Sequence, residues 1–126
     1  MKLTHLEEFN VERCKIAERY LEELKNPCLI LPQIRPGADS TWHQFVVRVR
    51  NGKRDNFMNY LKEKEIGTII HYPIPPHLSK AYAYLGKKRG DYPITEQYAD
   101  EVLSLPMYNG MTDEEITTVI DAINKY

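Results

Sequence analysis

The densest group of chemically capable side chains in this sequence is His71-Tyr72-Pro73-Ile74-Pro75-Pro76-His77. The two imidazoles and the phenol supply hydrogen-bond donors and acceptors, and an imidazole also exchanges a proton near neutral pH. Three prolines among these seven residues stiffen the chain, so its polar tips lose little conformational entropy when they hold a ligand. The segment reads either as a binding lip or as a proline-rich connection whose histidines are ordinary surface residues. It is a poor metal centre, because no third ligand is near in sequence and no carboxylate stands within the stretch.

Other candidates are thinner. His43 follows Trp42 in an alternating run and is expected to be half-buried on the core side beside Phe45. Lys87-Lys88-Arg89 could meet an anionic ligand such as a diphosphate, or could be a solvated turn. Arg48 and Arg50 are expected on a solvated outer sheet face, and Cys14 and Cys28, with no CxxC spacing or Cys/His cluster, as buried thiols. There is no GxGxxG, P-loop, HExxH or GxSxG, and the six glycines are not clustered. No residue of this chain by itself reads as catalytic. Tyrosine makes up 9 of the 13 aromatic residues, and its apolar ring with a polar tip suits interfaces and half-wet clefts.

These residues need elements to position them. Thr4-His5-Leu6-Glu7 has the form of a capping box, predicting a helix that Asn26-Pro27 should stop, with Leu6, Phe9, Ala17, Tyr20, Leu21 and Leu24 as its apolar stripe. Arg13 lies near that stripe, as if the helix were covered by more than its own domain. Leu29 to Leu31 is a short strand, and Trp42 to Arg50 alternates as a firmer one, with Phe45, Val47 and Val49 on one side. Asn51-Gly52 marks a turn before a helix from about Arg54 to Lys64, and Thr68 to Tyr72 is a β-branched strand. The prolines then take the chain off the sheet, with a short helix at Ser79 to Leu85 ended by Gly86. Pro93 opens a helix that Leu103 should close, and Leu105 to Met107 is an edge strand. Thr112-Asp113-Glu114-Glu115 caps a last amphipathic helix. The sum is an α+β fold: a small, mainly antiparallel sheet with helices packed on one face, the two terminal helices side by side.

At 126 residues the chain is long enough for one domain, 1–126, and too short for two. A net charge of −1 provides no field for nucleic acid, and no apolar run approaches the roughly 20 residues of a membrane span. Met1-Lys2-Leu3 leads into charge, with no signal-peptide pattern, so a cytoplasmic protein is expected.

Several strings together resemble a known family. Asn10-x-x-Arg13-x-x-x-Ala17-x-x-Tyr20, then Trp42-His43-x-Phe45-Val46-Val47-Arg48, Arg54-Asp55 and His71-Tyr72-Pro73-Ile74-Pro75-x-His77 fall in one order. Ala81-Tyr82, Gly90-Asp91-x-Pro93, Glu96 and Leu103-Ser104-Leu105-Pro106-Met107-Tyr108 complete it. The chain resembles the C-terminal domain of DegT/DnrJ/StrS-type nucleotide-sugar aminotransferases, pyridoxal-phosphate enzymes of the aspartate-aminotransferase fold.

The resemblance implies a longer protein whose large N-terminal domain, absent from these residues, carries the Schiff-base lysine and the cofactor pocket. It implies an amino group moved from an amino acid, glutamate being expected, to a keto-sugar on a nucleotide, in a cytoplasmic homodimer. His71, Tyr72 and His77 then become the substrate-binding residues, with no catalytic, cofactor-binding or metal residue in this chain. The alternative is a free-standing α+β module that binds a small ligand or dimerises without chemistry. One departure stands out: the family often has glycine just before the isoleucine where Glu65 stands here, and another turn could serve at that junction.

Overall fold

The computed structural model describes residues 2–126. A 3₁₀ turn, Lys2–His5, leads into α1, Leu6–Glu23. The N-cap is His5 in place of the expected Thr4, and its side chain makes no bond to the helix amides; its Nδ1 lies 2.9 Å from Glu8 Oε2. Ile16, Ala17, Tyr20 and then Leu24 form the buried stripe at helical spacing, while Leu6 is exposed. The helix stops at Glu23, before the expected Asn26-Pro27, because Leu24 turns extended. Two asparagines satisfy the groups this leaves. Asn124 takes the Lys25 amide and donates to the Glu23 carbonyl, at 2.8 and 2.9 Å. Buried Asn26 donates to the Ile123 carbonyl at 2.7 Å and accepts from the Cys28 amide at 2.8 Å. They bind the end of α1 to the end of α4, Asp113–Asn124, so the terminal helices do lie together.

The sheet is antiparallel, ordered β1 (Leu29–Ile30), β2 (Phe45–Val49), β3 (Val102–Leu105). Strand parity decides what each face carries. Phe45, Val47 and Val49 point one way as expected, and the register pairs Phe45 with Leu105 and Val47 with Leu103 on that same face. Against it pack Tyr20 of α1, Phe57 and Leu61 of α2 (Arg54–Glu63) and Ile116, Val119, Ile120 and Ile123 of α4. Each such large side chain withdrawn from water contributes about 1.5–3 kcal/mol, which makes this layer the stabilising body of the domain. Tyr20 is wholly buried, and burial pushes its phenol pKa well up while its hydroxyl donates to the Pro106 carbonyl at 2.8 Å.

The other face carries Val46, Arg48, Val102 and Ser104. The remaining helix, α3 (Pro93–Glu101), contributes nothing to the buried cluster that α1, α2 and α4 form and borders this other face. Arg48, expected in solvent, is half-buried there. Its guanidinium meets Glu101 at 2.7 Å and lies 4.2 Å above the Tyr98 ring.

Some boundaries moved for physical reasons. α3 closes at Glu101, short of the Leu103 expected, and β3 runs Val102–Leu105 in place of the expected Leu105 to Met107, ending before Pro106, which cannot donate to a ladder. Thr68 to Tyr72, expected as a strand, makes only the bridge Ile69 to Ser104. Cys14 and Cys28 are half-buried, not buried. Arg13 is held within the domain by Asn10 and Asn109, at 2.7 and 2.9 Å. Among the described residues no helix is long and apolar enough to cross a membrane.

Candidate functional site

Ser104 is where the site begins. Leu103 and Leu105 turn to the core, so Ser104 must face the opposite side, and the chain that leaves the sheet after Ile69 covers it. His71 Nδ1 lies 2.9 Å from Ser104 Oγ, a hydrogen bond that fixes the imidazole over β3. Among the described residues nothing bonds its Nε2. Tyr72 is 75% exposed, its ring edge-on to His71 at 5.6 Å, and the peptide between them is cis. His71 stands between two shallow clefts. One, of about 250 Å³, reaches His43 and Met107; the other, of about 220 Å³, is bordered by Tyr72, Ile74, Pro75 and Tyr98. His43 is exposed at the rim of the first, not half-buried beside Phe45, because Trp42 takes a positive φ of 47° just before the strand and stacks on Phe45 itself.

His77 sits differently. It follows Pro75 and Pro76 into a 3₁₀ turn, Pro76–Leu78, and is nearly buried, its Nε2 donating to Glu96 Oε1 at 3.0 Å and its ring edge-on to Tyr92 at 4.8 Å. Glu96 also accepts from the amides of Gly90 and Tyr92. The Gly90 amide, ahead of the His77 bond and the Tyr92 amide, holds this carboxyl below the usual glutamate range against the opposing effect of burial.

The structure therefore brings His71 and Tyr72 together as two open polar tips, with His77 behind them in the same loop. The turn Lys87-Lys88-Arg89 spends its charge nearby: Arg89 pairs with Asp100 at 3.3 Å and Lys87 lies 5.7 Å from the Tyr92 ring. Ser104 and Glu96 stand in the strings that carry the family resemblance, but the sequence assigns neither a role in the site. Alternation about Leu103 and Leu105 sends Ser104 to the outer face, whereas nothing local points to the contacts of Glu96, because an acid in the first turn of a helix reads as a partner for the helix dipole. Every described lysine side chain is exposed. Among the described residues there is no metal-ligating group of three or more.

Residues 1–124 match the pattern of the DegT/DnrJ/EryC1/StrS aminotransferase family. The chain belongs to that family. It is 44% identical, over all 126 residues and 34% of the relative's length, to the dTDP-3-amino-3,6-dideoxy-alpha-D-galactopyranose transaminase of Aneurinibacillus thermoaerophilus. Streptomyces venezuelae DesV, solved in complex with a ketimine intermediate, superimposes with a TM-score of 0.92 at 38% identity, over 98% of this chain and 33% of that one. Bacillus subtilis NtdA, solved with bound cofactor PMP, gives 0.79 at 30% identity over 91% of this chain and 27% of that one. The chain spans about a third of the length of the DegT/DnrJ/EryC1/StrS relatives it matches.

Proposed function

We propose that these 126 residues are the C-terminal domain of a pyridoxal-phosphate-dependent sugar aminotransferase that moves an amino group from glutamate to a nucleotide-linked keto-sugar. The observation that carries the reading is the match, at 44% identity over the whole of this chain and 34% of the relative, to a protein named as a dTDP-amino-sugar transaminase. Amino transfer of this kind draws its electron sink from the cofactor, and the exposed lysines of this chain offer no seat for it. In this reading the cofactor is held by the remaining part of the enzyme; one relative, Bacillus subtilis NtdA, was solved with bound cofactor PMP.

What this chain supplies is orientation. His71, fixed by Ser104, offers Nε2, and Tyr72 offers its hydroxyl, on a loop that three prolines stiffen. His77 supports the same loop from behind. The protein is a cytoplasmic homodimer in this reading, with the nucleotide sugar and the domain that holds the cofactor as its partners. The test is to express the chain joined to the coding region that precedes it and to assay amino transfer from glutamate to dTDP-linked keto-sugars. A folded, cofactor-loaded protein that transfers nothing to any nucleotide sugar would overturn the proposal.

A further inference from the structure

The loop that carries the open tips has almost no core of its own. Between residues 72 and 95 only Pro75 is buried, and residues 80–95 are exposed throughout. No ladder holds it, since the last pairing before it is the bridge at Ile69 and the next element is α3. Beside the edge-on contact of the His77 and Tyr92 rings, what closes it is one carboxylate. Glu96 accepts from His77 Nε2 at 3.0 Å near the start of the loop, and near its end its two oxygens lie 2.8 and 2.9 Å from the Gly90 nitrogen, with the Tyr92 nitrogen at 3.3 Å. The His77 and Glu96 side chains are only 9% and 7% exposed, so water competes little for these bonds.

The helix that carries Glu96 is itself anchored. Arg54 of α2 donates to the Ala99 carbonyl, and Arg48 of β2 pairs with Glu101. α3 also borders the cleft beside His71 and Tyr72 through Thr95, Tyr98 and Ala99. One side chain on a fixed frame thus gathers both ends of a segment that neither packing nor strand pairing orders.

We propose that Glu96 is a positioning residue of the sugar-facing site: by holding His77, Gly90 and Tyr92 it keeps the loop, and with it His71 and Tyr72, in place over β3. This rests on the reading of the loop as the substrate lip. A carboxylate is required because it accepts with both oxygens; a glutamine would accept with one and set its NH₂ against the amides it should receive.

The test uses the full-length enzyme with cofactor bound. Glu96→Gln is expected to raise KM for the nucleotide sugar at least about tenfold and leave KM for the amino donor within about twofold. Amide exchange at Gly90 and Tyr92 is expected to quicken at least about tenfold, with exchange in α1 and α4 unchanged. Glu96→Asp, which keeps the charge on a shorter stem, should fall between the two. If Glu96→Gln does not fold, His77→Phe, which keeps an aromatic ring and removes the donor, breaks the near arm alone and is read by the same two measurements. Unchanged exchange at Gly90 and Tyr92 would overturn the latch whatever happens to KM. Faster exchange with an unchanged sugar KM would show the latch to be real but remote from substrate, overturning both the positioning role and the reading of the loop as a lip.

Discussion

At the scale of single residues, His71 and Tyr72 look alike in sequence and differ in their attachments. Tyr72 is 75% exposed and no hydrogen bond among the described residues uses its hydroxyl, so Tyr72→Phe should cost under about 0.5 kcal/mol of stability. His71→Ala leaves the buried Ser104 hydroxyl without its partner and should cost about 1 kcal/mol or more. In the full-length enzyme both should weaken keto-sugar turnover, each by the worth of one orienting bond, roughly 1 kcal/mol or about fivefold. Thermal melts beside steady-state rates check this; full activity in both variants would place the lip elsewhere. Glu96 gives a pH prediction. Its carboxyl is depressed in the folded chain by the Gly90 amide first and by His77 and the Tyr92 amide after it, so its contribution is present above the ordinary glutamate range and is lost as pH falls through the lower folded value. The melting difference between the parent and Glu96→Gln should therefore be steady above about pH 5 and shrink below about pH 4. A difference that grew on acidification would contradict the assigned direction.

Among the elements, strand alternation and a complete capping box are the signals the structure follows, even where boundaries shift, as β2 forms over Phe45–Val49 within the expected Trp42 to Arg50. The alternation of β2 is matched by its burial, and the Thr112–Glu115 capping box of α4 is closed in both directions. Where one signal stood alone, tertiary structure overrode it. Thr68 to Tyr72 has strand composition, but Pro73 and Pro106 end both would-be partners and leave a single bridge. The junction of α3 and β3 carries no turn residue, so nothing in sequence marked the change at Val102. In the site, the proline-stiffened loop was legible because rigidity and imidazoles are local properties; its fastening to Glu96 was not, because His77 and Glu96 meet only after the chain folds back. The junction after α2 sharpens the same point. It does not use another turn: Glu65 adopts a positive φ of 60°, with the Ile66 amide on the Leu61 carbonyl at 2.9 Å and the Glu65 amide on the Lys62 carbonyl at 3.0 Å. That is a Schellman end with glutamate in the position glycine prefers. Glu65→Gly should stabilise the domain by about 1 kcal/mol, read as a rise of a few degrees in melting temperature. A fall would mean that the Glu65 side chain makes a compensating interaction.

The whole molecule has one closed side and one open one. The layer of α1, α2 and α4 on the sheet seals a continuous core, while the loop side leaves Tyr72, Ile74, Tyr82, Tyr84, Leu85, Ile94 and Tyr98 exposed within a single stretch of chain. Leu3, Leu6 and Val11 at the start of α1 add a second apolar group. Isolated exposed hydrophobics are ordinary, but so many from one segment mark a surface that works against something else. The expectation from sequence includes the Arg13 side of α1 in that surface. Arg13 itself is bonded to Asn10 and Asn109, and the exposed apolar side chains lie on the loop side and on the first turns of α1. The 126-residue chain expressed alone should therefore self-associate as its concentration rises and bind a dye that reports apolar surface, and Tyr84→Ser with Leu85→Ser should reduce both while leaving the fold in place. Those two positions are exposed and outside the Glu96 latch, so their change removes apolar area without touching the core. Sedimentation with a clean monomer at every concentration, and no dye binding, would show that the tyrosines are solvated as they stand and that the open side needs no cover.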